Sequence, residues 1–192
     1  MELQHVNVKL LLNDFGEADL EPLIPIFHSW IQEQNSDELL LDVADYRHVH
    51  AGPGVILIGH EANYSVDNTG SRQGIRYNRK APLAGSNQDR LEQAMRAALQ
   101  ACQRLESDSR LNGKLRFNGR DTQISINDRL LAPNNGATRE AVQPELVPFL
   151  QKLFAGGDYS LSYPAGPREL FAVAIESAEN FSPAQLIKNL AS

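Results

Sequence analysis

The stretch at residues 86–106, SNQDRLEQAMRAALQACQRLE, is the strongest secondary-structure signal in the chain. Its apolar residues recur every three or four positions, which places them on one face of a helix. These residues are Leu91, Ala94, Met95, Ala98, Leu99, Cys102 and Leu105. Ser86 is followed three residues later by Asp89, which is a helix-capping pattern. The sequence therefore predicts a long amphipathic helix near the middle of the chain.

The segments on either side of this helix, at about residues 6–80 and 115–180, follow a similar order. Each has a strand, a helix that contains proline, and two strands around a Gly-Pro turn. The matching pairs are Asn13-Asp14 with Asn127-Asp128, and Gly52-Pro53 with Gly166-Pro167. Neither half alone has much apolar surface to bury. We therefore predict one α+β domain over residues 1–192, with two pseudo-repeated strand–helix–β-hairpin halves, a mainly antiparallel sheet, and a bridging helix at about 87–106.

Finer features of both halves are also predicted. Residues 38–50, 55–66 and 75–79 are rich in strand-favouring residues and predict a three-stranded antiparallel meander. Asn118-Gly119 is typical of the tight turn of a β-hairpin. The polar residues 132–138 predict a loop, since Pro, Asn and Gly interrupt regular structure.

The composition is that of an ordinary soluble protein, with 42% apolar and 22% charged residues among 192. No apolar run approaches the roughly 20 residues of a membrane helix, and the N-terminus lacks the features of a signal peptide. A single cysteine, Cys102, is compatible with a reducing compartment. We expect a cytoplasmic protein that does not associate with membranes. The net charge of −6 makes binding to nucleic acid unlikely on electrostatic grounds.

One segment is basic, although the chain as a whole is acidic. Between Asp67 and Asp89 the chain has no carboxylate, and it carries four cations, at Arg72, Arg76, Arg79 and Lys80. Arg76, Tyr77, Arg79 and Lys80 are therefore candidates for binding an anionic ligand or partner. The alternative is a strand edge that uses charge to prevent unwanted pairing.

The densest group of potentially reactive residues lies on the first predicted hairpin. If its turn centres on Gly52 and Pro53, Asp45 comes opposite His60. A carboxylate there would orient the imidazole and raise its basicity, so that His60 acts as a general base. The alternative is a structural cross-strand pair.

The same hairpin carries potential metal ligands. His48 and His50 are two residues apart and share a face of the strand, and Glu61 could join them as a ligand. A solvated polar face is the competing interpretation. No nucleophile elbow, phosphate-binding glycine loop or dinucleotide fingerprint is present in the sequence, and no particular cofactor is implied.

Four stretches carry a family resemblance: residues 42–55, 59–64, 77–80 and 127–134. With these, the chain resembles, over nearly its whole length, a family of bacterial proteins of unknown function. The resemblance implies a bacterial, cytoplasmic protein and supplies no catalytic residues.

The sequence is compatible with two functions. The favoured one is a non-catalytic binding or assembly module, whose partner is another protein or a second copy of the chain, joined through a sheet edge. The other is a small enzyme, metal-dependent in one version, with its site at Asp45, His48, His50, His60 and Glu61.

Overall fold

The computed structural model describes residues 1–13, 20–35, 38–164, 166 and 169–192. The strands found there are β1 (Val6–Leu12), β2 (Leu40–Tyr46), β3 (Gly54–Gly59), β4 (Ala62–Asp67), β5 (Gly74–Arg79), β6 (Phe117–Ile126), β7 (Tyr159–Ser162) and β8 (Phe171–Ser177). The helices are α1 (Leu23–Glu33), α2 (Asn87–Ser107), α3 (Gly136–Leu153) and α4 (Pro183–Ala191).

The eight strands form one sheet in the order β2-β3-β4-β5-β1-β6-β8-β7, and every neighbouring pair is antiparallel. The predicted α+β class is therefore confirmed. The described part of the first half contributes five strands and that of the second half three. The internal repeat, and the role of α2 as a bridge between two repeats, stay predictions.

Helix α2 forms as its sequence indicates. The Ser86 hydroxyl accepts a hydrogen bond from the Asp89 backbone N–H at 3.2 Å, and Asp89 accepts one from the Ser86 backbone N–H at 2.7 Å. This capping box satisfies donors that the first turn of a helix leaves free. The apolar stripe of α2 is buried against β1 and β5, and the helix also contacts α3 and α4.

The predicted three-stranded meander was wrong, because residues 55–66 form two strands rather than one. Strand β3 ends at Gly59 and β4 begins at Ala62, with Ile58 opposite Asn63 in register. A Cβ atom at Gly59 would lie only 2.5 Å from the Ala62 carbonyl oxygen, so this close reversal requires glycine. The meander accordingly has four strands, β2 to β5.

Two predictions in the second half were also wrong. Residues 117–126 form one continuous strand, so Asn118-Gly119 is not a hairpin turn. Helix α3 begins at Gly136, inside the predicted loop, because the Asn135 side chain accepts a hydrogen bond from Thr138 N–H at 3.0 Å and caps the helix.

The two faces of the sheet differ in chemistry. Alternate strand residues, such as Val6, Val8 and Leu10 of β1, join the apolar residues of all four helices in one buried cluster. The residues between them point to the opposite side. We call that side of the central strands the polar face, and its residues are Asn7, Lys9, Asn63, Ser65, Asp67, Arg76, Asn78, Gln123 and Ser125.

Candidate functional site

A groove of about 760 Å³ lies on the polar face of the sheet. Lys9 of β1 and Arg76 of β5 line it on one side. Gln123 and Ser125 of β6 continue its floor, which then crosses β8 and β7. Small side chains on those outer strands leave the space open, and the groove is large enough for a small-molecule ligand.

A buried ion network stands at the cationic end of this groove. The Lys9 ammonium pairs with the Asp67 carboxylate, and Arg76 Nε lies 2.9 Å from the second carboxylate oxygen. Lys9 is 3% exposed and Asp67 is 1% exposed. Lys9 Nζ also donates a hydrogen bond to the Thr69 carbonyl oxygen at 3.1 Å. Each carboxylate oxygen of Asp67 therefore takes part in an ion pair.

The network carries an excess of positive charge. Two cations, Lys9 and Arg76, share the single carboxylate of Asp67. Burial lowers the pKa of the Lys9 ammonium, and the neighbouring Asp67 carboxylate partly opposes that effect. Arg72 adds a third cation at the rim, where it is half exposed and reaches Asp121 only at 3.6 Å. This end of the groove is therefore suited to an anionic group.

A second cavity, also of about 760 Å³, lies on the helical side between α1 and α2. Trp30 and Tyr64 line it, and the Arg104 guanidinium lies 3.9 Å above the centre of the Trp30 ring. Arg104 also pairs with Glu33 at 2.9 Å. The guanidinium beside Trp30 is thus already held by a carboxylate and an aromatic ring.

A hydrogen-bonded network forms the wall of the second cavity. Glu38 accepts hydrogen bonds from the hydroxyls of Tyr64 and Tyr77, each at 2.9 Å. Gln93 donates to the Tyr77 hydroxyl at 2.9 Å, so that this hydroxyl is both donor and acceptor. Because each group already has a partner, we interpret the network as structural, tying the segment before β2 to β4, β5 and α2.

The tyrosines of this network are held in the protonated form. Burial, followed by the nearby Glu38 carboxylate, raises the pKa of Tyr77 to about 12, and the same two causes raise the pKa of Tyr64. A phenol that stays protonated donates a hydrogen bond and does not act as a base. The cavity wall therefore offers no activated base at these two positions.

We expect the fold to lose stability in alkali because of Tyr77. Its folded pKa is about 12, above the unfolded value of 10. The stabilisation is therefore fully present below pH 10 and is lost as the pH rises toward 12, by about 2 to 3 kcal/mol. Urea unfolding at pH 8, 10 and 11 measures this. The wild type should lose stability more steeply than Tyr77→Phe, whereas the exposed-site variant Tyr46→Phe should follow the wild type. Equal slopes for all three would contradict the assignment.

The structure separates the predicted anion-binding residues. Arg76 lies on the polar face, whereas Tyr77 and Arg79 lie on the helical side, where Arg79 pairs with Glu61 at 2.9 Å. Lys80 Nζ donates a hydrogen bond to the Gly59 carbonyl oxygen at 2.5 Å. The alternative of a protected sheet edge was wrong for this segment, because β5 lies between β4 and β1 in the interior of the sheet.

The predicted pairing of Asp45 with His60 was wrong. Asp45 is opposite Val55 near one end of the β2–β3 hairpin, and His60 follows β3 at the other end. Asp45 instead binds Arg47 through two hydrogen bonds to its guanidinium, at 2.9 and 2.8 Å. These contacts hold the pKa of the Asp45 carboxyl at about 2. The two residues therefore do not form an acid–base pair.

The predicted metal ligands are also apart. His48 and His50 lie in the connection between β2 and β3, where His48 stacks on Tyr46, while Glu61 lies in the turn after β3. Within the described ranges, no group of three or more His, Cys, Asp and Glu residues is placed to hold a metal ion. The predicted ligand set required His48 and His50 to lie on a strand, but β2 ends at Tyr46.

The exposed edge of the sheet at β2 shows features that oppose strand pairing. Its Asp42 side chain accepts a hydrogen bond from the Val43 backbone N–H at 2.8 Å, and a bulge interrupts the strand between Leu40 and Asp42. Both devices blunt a sheet edge. Exposed apolar side chains do occur along this region, at Leu39 and Leu41. Assembly through the backbone of this edge is thus less supported than binding in the groove.

Sequence reasoning missed Lys9, Asp67 and Glu38. A signal for Lys9 was present, because it is the one charged residue in the strand VNVKLLL and such a residue needs a buried partner. Its partner, Asp67, lies at the end of β4, a strand that the sequence did not separate from β3. Glu38 gave no comparable signal.

Comparison with known proteins gives no family for the chain: it matches no protein-family model and is not significantly similar to a curated protein. Among the described residues, no helix is long and apolar enough to cross a membrane.

Proposed function

We propose that this protein is a non-catalytic binding module whose groove on the polar face binds a small anionic ligand. The proposal rests on one observation. Two cations, Lys9 and Arg76, share the buried carboxylate of Asp67 at the end of an open groove. An anion placed beside Arg76 would balance the excess charge. A fixed, partly desolvated cation binds an anion more strongly than a fully solvated one does.

The location and partners of the protein are part of the same proposal. The net charge of −6 opposes nucleic acid as the partner and favours a small ligand, which needs to meet only the Lys9–Arg76 end of the groove. Cys102 is unpaired and buried. An acidic chain with one unpaired thiol supports a cytoplasmic location.

The test is titration calorimetry with inorganic phosphate and with citrate as probes, on the wild type and on Arg76→Gln. We expect the variant to lose about 10- to 100-fold in affinity, which corresponds to one hydrogen bond to a charged group. Arg104→Gln is a matched control, since Arg104 is 31% exposed against 30% for Arg76, and each pairs with one carboxylate. The control should bind like the wild type.

Two results would contradict the proposal. One is the absence of heat from either anion up to millimolar concentration. The other is equal loss of affinity in Arg76→Gln and Arg104→Gln, which would place the binding outside the groove. The single tryptophan, Trp30, lies on the helical side. Its fluorescence should therefore stay constant during the titration, and a change would point to the cavity between α1 and α2.

A further inference from the structure

The lining of the groove changes from charged to short side chains along one row of the sheet. Arg76 of β5 is opposite Lys9 of β1, which is opposite Gln123 of β6. Gln123 is in turn opposite Ala174 of β8, and Ala174 is opposite Ser162 of β7. All five residues line the groove. The groove therefore passes from two cations, across one amide, to short side chains.

The short side chains cover an area that is broad in both directions. Ala172 and Ser125 are opposite each other, two residues from Ala174 and Gln123, and they also line the groove. We call Ser125, Ala172, Ala174 and Ser162 the open floor. Ser162 is exposed, and Ser125 and Ala174 are half-buried, so a ligand in the groove can reach them. Because strands lie about 4.8 Å apart and two residues along a strand span about 7 Å, the open floor measures about 10 Å by 7 Å.

The shape of the open floor favours a flat, apolar body. A single alkyl chain would cover only part of a surface that is almost as wide as it is long, whereas a planar ring system extends in both directions. The Ala174 methyl group offers apolar contact, and Leu170 also lines the groove. Apolar surface that a ring loses to this contact is removed from water, which favours binding.

Carboxylates lie beside the open floor. Glu176 is two residues from Ala174 on β8 and is opposite Asp121, and both carboxylates line the groove. Glu176 pairs with Arg120 at 2.9 Å, and Asp121 accepts a hydrogen bond from the Asn118 amide at 2.7 Å. An aromatic ring has partial positive charge at its edge and negative charge on its faces. A ring that lies flat on the floor would therefore turn its favourable edge toward these carboxylates.

The cations stand at a suitable distance from the open floor. Strand β1 is two strands from β8, so the backbones at Lys9 and Ala174 are about 10 Å apart. An anionic group beside Arg76 would thus place an attached pair of fused rings over Gln123 and Ala174. Among the described residues, the Gln123 amide has no hydrogen-bond partner, so its side chain can lie against the ring. A guanidinium matches a carboxylate in geometry, because two parallel hydrogen bonds join them.

We propose that the ligand of the groove is a planar aromatic carboxylate, with its carboxylate beside Arg76 and its ring system on the open floor. This inference rests on the proposed function of the groove and adds the class of ligand. A bare anion would pair with the cations and leave the open floor to water. An aromatic carboxylate would contact both parts of the groove.

The experiment is titration calorimetry of the whole protein with 2-naphthoate, acetate, hexanoate and 6-aminohexanoate. We expect 2-naphthoate to bind at least about tenfold more tightly than acetate, because its rings lose apolar surface to the floor. Hexanoate and 6-aminohexanoate are of similar length, but one is an alkyl chain and the other also carries an ammonium group. Both should bind less tightly than 2-naphthoate.

Ala174→Leu fills part of the open floor and tests where the rings lie. The affinity for 2-naphthoate should fall at least about tenfold, while that for inorganic phosphate stays within about twofold. Ala97→Leu is the matched control, because Ala97 lines the cavity of equal volume between α1 and α2, and it should change neither affinity. If Ala174→Leu proves unstable, Ser162→Leu provides a second test, since Ser162 is exposed on the outermost strand and lines the same groove.

The alternatives give different results. Equal affinities for 2-naphthoate and acetate, with phosphate binding still dependent on Arg76, would overturn this inference and leave the proposed function standing. Tighter binding of hexanoate or of 6-aminohexanoate than of 2-naphthoate would also overturn it, in favour of an alkyl chain or a dipolar ligand. A dimer that Ala174→Leu dissociates in sedimentation, without binding of 2-naphthoate, would assign the floor to a second copy and overturn the inference. Absence of binding by phosphate and by every carboxylate would contradict the proposed function itself.

Discussion

Replacement of Asp67 by alanine is expected to lower the free energy of unfolding by about 3 to 5 kcal/mol. The change removes the carboxylate that Lys9 and Arg76 share. Arg76 is 30% exposed and can turn toward water, but Lys9 is 3% exposed and, among the described residues, would keep only the Thr69 carbonyl as a partner. Burying a charge without its counter-ion is among the most costly changes in a folded protein. Urea unfolding at pH 7 measures the loss.

Asp45→Ala is the matched control for this prediction. It also removes an aspartate side chain from an ion pair, here with Arg47, but both side chains of this pair are at least one-third exposed. Exposed pairs contribute little, so the control should cost about 1 kcal/mol or less. The double variant Lys9→Met with Asp67→Leu should recover most of the stability, because it removes both buried charges together. A cost for Asp67→Ala no larger than that of the control would show that the network is hydrated and would weaken the argument for the groove.

The α+β class could be predicted from the sequence, whereas the contacts of Lys9 and of the β2–β3 hairpin could not. Helix α2, the turn-rich antiparallel order and the α+β class follow from local periodicity and capping. The site depends on which strands are neighbours, and this in turn depends on where strands end. The two-residue reversal between Gly59 and Ala62 carries no Asn-Gly or Pro-Gly signal, so β3 and β4 were predicted as one strand. A separate error placed the β2–β3 turn at Gly52 and Pro53, which puts Asp45 opposite His60, whereas the observed register pairs Asp45 with Val55.

The separation of Arg76 from Arg79 could have been predicted from the sequence. Arg76 and Arg79 are three residues apart, and residues at odd spacing on a strand point to opposite faces. Once residues 75–79 are predicted as a strand, the two guanidiniums cannot share one anion-binding surface. The pairing of Lys9 with Asp67 is different, because the two residues lie on β1 and β4, which are brought together only by the order of strands in the whole sheet.

At Gly119, too, a local sequence signal did not predict the structure. Asn118-Gly119 is a common hairpin signal, yet here it lies within β6. The backbone carbonyl of Phe181 approaches the Gly119 Cα so closely that any Cβ atom would overlap its oxygen and lie 2.7 Å from its carbon. The glycine is therefore required for close approach of two backbones and not for a turn. The segment that approaches leads into Ser182, which caps helix α4.

Gly119→Ala is accordingly expected to destabilise the fold by about 2 to 3 kcal/mol, because the new methyl group forces residue 181 to move. That movement separates the Phe181 ring from Phe154, whose centres are 5.7 Å apart, and disturbs the start of α4. In a chain of this length the midpoint of thermal unfolding should fall by about 5 to 10 °C. Amide hydrogen exchange should locate the loss of protection in α4.

Gly136→Ala is the control for this second prediction. No atom of the described residues lies within 4 Å of a Cβ atom at Gly136, which is the first residue of α3. Alanine there should leave stability unchanged or raise it by up to about 1 kcal/mol, since it restricts the unfolded chain and favours the helix. If Gly119→Ala behaves like this control, the strand and the segment before α4 are not in contact, and the packing of α4 over β6 would have to be revised. If α4 alone loses protection, its docking depends on the missing side chain of residue 119.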